Sequence, residues 1–311
     1  MINPNIRTVE PREMWEKYGF ESLITNSYVI WKHERLKEQA LAEGVHKLLD
    51  YPGVIMTDSG TFQNYVYGDV EVGVEEIVAF QRDIGVDIAT MLDVFGTPDM
   101  SKEEVEQAVN DTIARAPVSI EAAGETMLNG PIQGGIHADL RKQSAVGMAE
   151  HEFAIHPIGG IVPLMERQRY RELVEIILAC REHIPWNRPI HIFGCGHPHL
   201  FPICIALGAD LFDSAAYALF ARDDRMLMPW GTVKLGELSE FPISTAALSG
   251  HTPESVRSMP DDARCELLAR HNLEVTASEL ARCRQAIRDG TPVSYTHLRA
   301  HETRHDLVCR L

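Results

Sequence analysis

Short apolar, β-branched segments alternate with longer segments of helical periodicity from the N-terminus to about residue 220. The pattern predicts eight strands, near residues 1–3, 22–25, 54–57, 87–92, 130–133, 154–162, 189–193 and 211–212. Amphipathic helices are predicted between several of them, at 74–84, 102–116, 138–151, 167–183 and 198–207. Such alternation indicates a parallel sheet with right-handed crossovers, and eight repeats fit a closed (β/α)8 barrel.

A doubly wound open sheet is the competing α/β fold. It normally carries a glycine-rich phosphate loop after the first strand, and the sequence has none there. We therefore predict an α/β fold of the (β/α)8 TIM-barrel type over residues 1–230. A small helical subdomain is predicted over 231–291, with helix caps at Thr252 and Thr276.

Residues 292–311 have a different character from the helix before them. They resemble translated sequencing read-through, so we expect a non-native tail and a truncated gene. His297, His301 and His305 in this tail have the four-residue spacing of a metal-binding helix face, but a motif match in such a segment is a weak signal. We do not expect a metal site there.

Composition limits the class of protein. A chain of 311 residues with 45% hydrophobic content can bury a large core. No apolar run approaches the roughly 18 to 20 residues of a membrane span, and the N-terminus lacks the order of a signal peptide. A soluble, cytoplasmic protein with reduced cysteines is therefore expected. The net charge of −16 gives no support by itself for a nucleic-acid partner.

Three aspartates, Asp58, Asp93 and Asp213, each follow a short apolar run. Carboxylates at strand ends of one barrel can converge although the chain separates them widely. One carboxylate can then attack a sugar as a nucleophile while a second transfers the proton. For any one of these aspartates alone, a cap on the helix after its strand is the favoured interpretation. All three together, with Gln133, favour an active site.

Other candidates lie beside these aspartates. In the segment SGTFQ, Ser59 belongs to a tight turn, Phe62 offers an aromatic face for a flat heterocycle, and Gln63 offers an amide. Core packing is the alternative for Phe62. Gln133 has a donor and an acceptor that suit a purine edge, and the glycine pair Gly159 and Gly160 lets a ligand approach the backbone.

A second histidine- and cysteine-rich segment, FGCGHPHLFPIC, contains Cys195, His197, His199 and Cys204. Its spacing matches no standard zinc motif, and its two prolines suggest the start of a helix. We do not expect a metal site at this segment.

The motifs TDSGTFQ, MLDVFGTP, GPIQGG, FGCGHP and GADLFDSAAYALFARDDR occur in this order. Together they resemble the tRNA-guanine transglycosylase family, most closely its archaeal branch, over about residues 1–290. The resemblance implies a (β/α)8 barrel that exchanges guanine in the D arm of tRNA for 7-cyano-7-deazaguanine, the precursor of archaeosine. It implies tRNA and the deazaguanine base as partners, a homodimer, and no cofactor for the chemistry.

The resemblance also implies residue roles. Asp213 would be the nucleophile that bonds to C1′ of the ribose, and Asp58 the general acid/base. The remaining matched residues would bind the base, with Phe62 stacking on it; they are Asp93, Gln133, Gly159, Gly160, Phe62, Ser59 and Gln63.

The sequence departs from the family at the position of its zinc site. Members carry a structural zinc on three cysteines and a histidine after the barrel. Here Ile243, Thr245 and Leu248 stand in place of the cysteines, and only His271 matches. Zinc binding is therefore in doubt. Apolar packing by Ile243 and Leu248 is our hypothesis for what replaces the metal.

Three alternatives are also compatible with the sequence. A queuine-type relative would act at the anticodon of tRNA instead of the D arm. A carboxylate-pair glycoside hydrolase on a TIM barrel would act on free sugars and needs no purine reader. A non-catalytic partner subunit is the third alternative, and retention of both Asp58 and Asp213 argues against it.

Overall fold

The computed structural model describes residues 1–61, 72–97, 99–292 and 294–296. The chain divides into two compact units. The first comprises Met1–Ile6, Glu21–Gly194 and Leu207–Asp213. The second comprises Arg7–Phe20, Cys195–Ala206 and the described part of Ser214–Leu311.

Parallel strands follow one another in chain order in the first unit. They are β1 (Ser22–Asn26), β2 (Val54–Asp58), β3 (Ile88–Thr90), β4 (Met127–Asn129), β5 (His156–Ile158), β6 (Ile190–Ile192) and β7 (Leu211–Phe212). β1 to β4 form one hydrogen-bonded sheet and β5 to β7 a second. The parallel bridges Asn129–Ile155 and Ile132–Ile158 join β4 to β5. The predicted α/β class with parallel strands is confirmed.

Two strand predictions differ from the structure. The predicted strand at 1–3 is a single parallel bridge between Ile2 and Thr25. Where a strand is predicted at 130–133, β4 lies earlier, and the residues after it pair with the β5 segment through Gly130 N to Ile155 O at 3.0 Å and Ile132 N to Pro157 O at 2.7 Å. The ring of Phe153 packs directly over Gly130. A Cβ on that glycine would be 2.4 Å from the Phe153 ring, so glycine is required by the packing of an aromatic side chain.

Helices connect these strands and cover them. In the first unit they are Ser27–Lys32, Glu34–Glu43, Val45–Leu49, Val74–Asp83, Lys102–Ala114, Ala116–Ala123, Ala138–Ala149, Val162–Glu166 and Tyr170–Arg181. Ser101 begins one of them with a capping box, in which its hydroxyl accepts from Glu104 N and the Glu104 side chain accepts from Ser101 N.

Apolar side chains from strands far apart in the sequence form one cluster. Ile24, Met56, Ile88 and Ile155 are all buried in it. Met1, Ala154, Phe193 and Leu211 pack against this cluster. Burial of each large aliphatic side chain contributes about 1.5–3 kcal/mol, so the cluster stabilises the strand arrangement on which the polar ends depend.

Gln81 lies on the helix Val74–Asp83, and its buried side chain hydrogen-bonds to residues of both β2 and β3. Its Oε1 accepts from Thr57 Oγ1 at 2.7 Å and from Thr90 N at 2.8 Å. Its Nε2 donates to Thr90 O at 2.9 Å. Thr57 precedes Asp58 at the end of β2, and Thr90 is the last residue of β3. The Gln81 amide therefore helps to align the carboxyl ends of these two strands.

Aspartates at the opposite, amino-terminal ends of the strands satisfy backbone donors. Asp87 Oδ2 accepts from Ile55 N at 2.7 Å, and Asp210 Oδ2 accepts from Ile190 N at 2.8 Å. These carboxylates replace a missing strand partner, so their role in the fold is structural.

The second unit is mainly helical. Its elements are the helices Pro11–Tyr18, Phe201–Ala206, Ala216–Arg222, Pro253–Arg257 and Asp261–Arg288, the 3-10 turns Pro198–Leu200 and Leu235–Glu237, and an antiparallel pair, β8 (Arg225–Met228) with β9 (Gly231–Lys234). Thr252 caps its helix as predicted, accepting from Ser255 N. The predicted cap at Thr276 is wrong, because its hydroxyl donates to Asn272 O at 2.8 Å within one continuous helix.

None of the helices in the described ranges has the length and apolar character needed to cross a membrane.

The chain is tightly packed at Gly134, in the segment that follows β4. The φ of Gly134 is +143°, and a Cβ there would lie 2.7 Å from Arg141 N and 2.9 Å from Leu140 C, both backbone atoms. We expect Gly134→Ala to lower the free energy of unfolding by about 2 kcal/mol, because the helix Ala138–Ala149 must move to relieve the overlap. Gly236→Ala is the control, since no atom lies within 4 Å of its built Cβ. Equal denaturant midpoints for the two variants would show that this segment has room for a side chain.

Candidate active site

The predicted polar residues of the first unit lie at the carboxyl ends of its strands. Asp58 is the last residue of β2, and Asp213 follows the last residue of β7. Asp93 lies three residues beyond β3, Gln133 four beyond β4, and Gly159 directly after β5. Parallel pairing directs these chain ends to the same edge, as expected from the sequence.

Asp58 is held by two donors. Asn26 Nδ2 donates to its Oδ2 at 3.0 Å, and Gly60 N donates to its Oδ1 at 3.2 Å. Burial raises the pKa of Asp58 to about 7, and the negative charges of Asp93 and Asp213 add to the rise. The two hydrogen bonds oppose it only in part. Asp93 and Asp213 therefore lie close enough to Asp58 for their charges to act on it.

Asp213 has the opposite electrostatic environment. Burial by itself would raise its pKa, but His191, the amino group of Met1 and Gly194 N together hold the pKa below its ordinary value. His191 Nε2 lies 3.0 Å from Asp213 Oδ1, and Gly194 N donates to the same oxygen at 3.0 Å. Asp213 is therefore the carboxylate that stays ionised when Asp58 is protonated.

Asp93 and Gln133 form a buried pair. Gln133 Nε2 donates to Asp93 Oδ2, and Gln133 is 1% exposed. Burial raises the pKa of Asp93, while hydrogen bonds from Thr61 and Gln133 and the charge of Arg115 lower it in part. Gln133 Oε1 has no hydrogen-bond partner among the described residues. A ligand N–H can fill that acceptor.

Gly159 and Gly160 make room for Gln133. A Cβ on Gly159 would lie 2.4 Å from Gln133 Nε2, and one on Gly160 would lie 3.1 Å from Gln133 Oε1. The sequence predicts this glycine pair as a place where a ligand approaches the backbone. In the structure the Gln133 amide packs directly against both glycines.

Ser59 is fully buried, with its Oγ 3.4 Å from Thr61 Oγ1. Thr61 Oγ1 in turn donates to Asp93 O at 3.3 Å, so this short turn connects the segments that carry two of the carboxylates. Phe62 and Gln63, the predicted stacking and amide residues, lie outside the described residues.

Sequence reasoning missed two polar neighbours. Asn26 pairs with Asp58 in the β1–β2 register and donates to its carboxylate. Its position at a strand end, as for Asp58, is a signal that could have revealed it. His191 lies inside the apolar strand β6, where its only signal is a polar residue in the run PIHIF.

The second unit contains the segment that corresponds to the family zinc site. His271 is fully buried; its Nδ1 lies 3.0 Å from Thr245 Oγ1 and its Nε2 lies 3.0 Å from Leu227 O. Because a carbonyl only accepts, Nε2 carries the proton and Nδ1 accepts from the Thr245 hydroxyl. Burial lowers the pKa of His271 to about 4, which keeps the ring neutral. Both nitrogens are therefore already used.

The donor set does not fit a zinc ion. Thr245 and Leu248 are buried, Ile243 is partly exposed, and none of the three supplies a thiolate. Within the described ranges, no group of three or more histidine, cysteine or acidic side chains is arranged to hold a metal. The rings of His197 and His199 lie 5.5 Å apart between centroids, and burial lowers the pKa of both.

The arrangement in the first unit can perform two-carboxylate chemistry. One carboxyl with a pKa near 7 can give and take a proton at neutral pH, and one stably ionised carboxylate can attack an electrophilic carbon. Beside them, the Asp93–Gln133 pair offers buried donors and acceptors of the kind that recognise a planar heterocycle.

Residues 1–304 match the protein family described as queuine tRNA-ribosyltransferase (TGT). The chain is 48% identical over 290 residues to the tRNA-guanine(15) transglycosylase of Pyrococcus abyssi, a match covering 93% of this chain and 49% of that protein. For the protein of the same name from Thermococcus onnurineus the identity is 49%, with 93% and 50% covered. For that from Haloarcula marismortui it is 43% over 301 residues, with 96% and 61% covered.

The chain thus spans about half the length of the first two of these relatives. The family match extends through nearly all of its own length, and the relatives exceed 40% identity across more than nine-tenths of it. The chain belongs to the tRNA-guanine transglycosylase family.

Proposed function

We propose that this chain is a tRNA-guanine transglycosylase that exchanges guanine in the D arm of tRNA for 7-cyano-7-deazaguanine. One observation carries the proposal: the pKa of Asp58 is raised to about 7 while that of Asp213 is lowered. Carboxyls whose pKa values are driven apart in one site are suited to different roles, one in proton transfer and one in nucleophilic attack. The names of the relatives, which specify guanine 15 of tRNA, support the substrate.

In the first half of the reaction, an oxygen of Asp213 bonds to C1′ of the ribose as the bond from C1′ to the guanine nitrogen breaks. The electron pair of that bond goes to the departing base, which takes a proton from Asp58. The product is a covalent ester between the RNA and Asp213. The target nucleotide must be turned out of its stack for C1′ to reach the carboxylate.

In the second half, a nitrogen of the incoming base attacks C1′. Its proton passes to Asp58 and the ester bond to Asp213 breaks, which restores both carboxyls. The ester retains the reactivity of the original glycosidic bond, so we propose that no cofactor is required for the chemistry.

The base would be recognised by the buried pair of Asp93 and Gln133, beside the backbone at Gly159 and Gly160. Free Gln133 Oε1 supports this role, since a buried acceptor without a partner is costly until a ligand fills it. Ser59, Phe62 and Gln63 complete the proposed base site; the family motif TDSGTFQ is the support for the last two.

We further propose that the parallel strands close into a (β/α)8 barrel over residues 1–230, with a helical subdomain over 231–291. The packing of Met1 and Leu211 against one cluster with Ile24, Met56 and Ile88 supports closure, since it unites the first and last strand segments. A cytoplasmic homodimer that binds tRNA completes the proposal.

The glycoside-hydrolase alternative remains testable by substrate. The buried pair of the Asp93 carboxyl and the Gln133 amide favours an enzyme that recognises a base, because a hydrolase acting on free sugars does not need to recognise a purine. The queuine-type alternative differs only in the site on tRNA and in the incoming base, which nucleoside mass spectrometry of the modified tRNA would identify.

Replacement of the proposed nucleophile should abolish exchange. We expect Asp213→Asn to lower incorporation of labelled guanine into unmodified tRNA by at least about a thousandfold and to yield no covalent RNA–protein adduct. Asp87→Asn is the matched control: this carboxylate lies at the other end of the strands, and its loss should leave the rate within about threefold. Exchange by Asp213→Asn at the wild-type rate would refute the assignment.

The two half-reactions should depend on pH in opposite directions. Adduct formation needs protonated Asp58, so its single-turnover rate should fall as pH rises through about 7. Discharge of the adduct to an added base needs ionised Asp58, so its rate should fall as pH drops below about 7. Both dependences should vanish in Asp58→Asn at its residual rate. A midpoint near pH 4 in the wild type, roughly the pKa of an unperturbed aspartate, would contradict the role.

We also propose that a hydrogen bond replaces the family zinc in the second unit. Thr245 Oγ1 and His271 Nδ1 bridge the segments that the metal would otherwise join. Leu248 is buried beside them, which agrees with the expected apolar replacement, whereas Ile243 is only partly buried.

The hydroxyl of Thr245 should therefore matter to stability and zinc should not. Thr245→Val should lower the free energy of unfolding by about 1–3 kcal/mol, because Nδ1 of buried His271 loses its donor. Thr245→Ser keeps the hydroxyl and should lose less. Denaturant titration with and without a chelator measures both points. One tightly held zinc per chain, whose removal lowers the midpoint, would overturn the proposal.

A further inference from the structure

His191 occupies an unusual position for a histidine. It is the central residue of β6, is 2% exposed, and lies beside β7, whose next residue along the chain is Asp213. The Phe193 ring packs edge-on against the imidazole, with centroids 4.7 Å apart. The ring is therefore fixed in place by apolar packing on an interior strand.

The contacts to Asp213 are asymmetric. His191 Nε2 and Gly194 N both approach Oδ1, each at 3.0 Å. Both of these contacts, one from β6 and one from the segment that follows it, are therefore made to the same carboxylate oxygen. A carboxylate that is restrained through one oxygen can bond to a substrate through the other.

The imidazole is costly where it lies. Nε2 is at ion-pair distance from Oδ1 without the alignment of a regular hydrogen bond, and neither ring nitrogen has an aligned partner among the described residues. Buried polar atoms left in this state cost about 1–3 kcal/mol each. Such a cost is common where geometry serves a reaction, and catalytic hydrogen bonds often align only when substrate is bound.

We propose that His191 is a positioning residue for Asp213: it holds Oδ1, so that Oδ2 is the oxygen that bonds to the ribose. This inference rests on the proposed transglycosylase function and specifies how the nucleophile is oriented. The charged groups whose fields couple to the Asp213 carboxylate also include the Met1 amino group and the carboxylate of Asp58. His191 is the side chain among them that contacts it at 3.0 Å from a neighbouring strand.

Three substitutions separate positioning from packing. Gln places its amide nitrogen near the site of imidazole Nε2, whereas Asn places it near the site of Nδ1, and Leu has no donor. We expect His191→Gln to form the RNA adduct within about tenfold of the wild-type rate. His191→Asn and His191→Leu should be slower by about a hundredfold, as expected when a reacting group is misplaced by about 1 Å.

The rates should be expressed per active site, with unmodified tRNA and labelled guanine as probes. KM for both should stay within about threefold of wild type, because His191 acts on the nucleophile and not on substrate binding. A purely structural role would lower the fraction of active enzyme and the melting temperature but leave the rate per active site unchanged.

The outcomes distinguish this inference from the function on which it rests. If the wild-type chain forms no adduct with tRNA, the proposed function fails. If the wild type forms it and His191→Leu reacts equally fast per active site, only the positioning role is wrong. Should His191→Leu fail to fold, the Gln and Asn variants decide, and equal rates for those two would overturn the inference.

Discussion

Parallel pairing between consecutive strands is the interaction on which the rest of the structure depends. In the register of β1 with β2, Asn26 stands opposite Asp58, and the amide therefore reaches the carboxylate without any further adjustment of the chain. The same alignment brings Asp93 and Asp213 to the same edge, although they lie 35 and 155 positions further along the chain than Asp58. Apolar packing of the strand interiors stabilises this alignment, and the polar ends depend on it.

Several buried carboxylates at one edge of the sheet repel one another when they are ionised. The effect on the pKa differs between Asp58 and Asp213. Asp58 accepts hydrogen bonds from two neutral donors, which do not offset burial and the nearby negative charges, so its pKa is raised. Asp213 receives a backbone donor and a nearby imidazole, and its pKa falls. Since three ionised carboxylates close together repel one another, the protonation of Asp58 near neutral pH reduces the charge that the edge must carry. The difference between the two acids is thus a property of their neighbours.

The sequence predicts the strand-end carboxylates well because strand periodicity and parallel topology jointly determine where Asp58, Asp93 and Asp213 must emerge. It predicts less well where side-chain packing decides. The continuous helix Asp261–Arg288 overrides the capping tendency of Thr276, and the need for glycine at position 130 comes from the ring of Phe153 packed over it. The sequence around His191 does not indicate its role, because the role depends on Asp213, which follows the neighbouring strand.

The bond between Thr245 and His271 has a chemical consequence for this part of the molecule. Its partners are a hydroxyl and an imidazole, neither of which is oxidised by peroxide as readily as a thiolate. The bridge forms from two side chains of the chain itself, so peroxide that would convert a thiolate to a sulfenic acid leaves both of its partners able to hydrogen-bond.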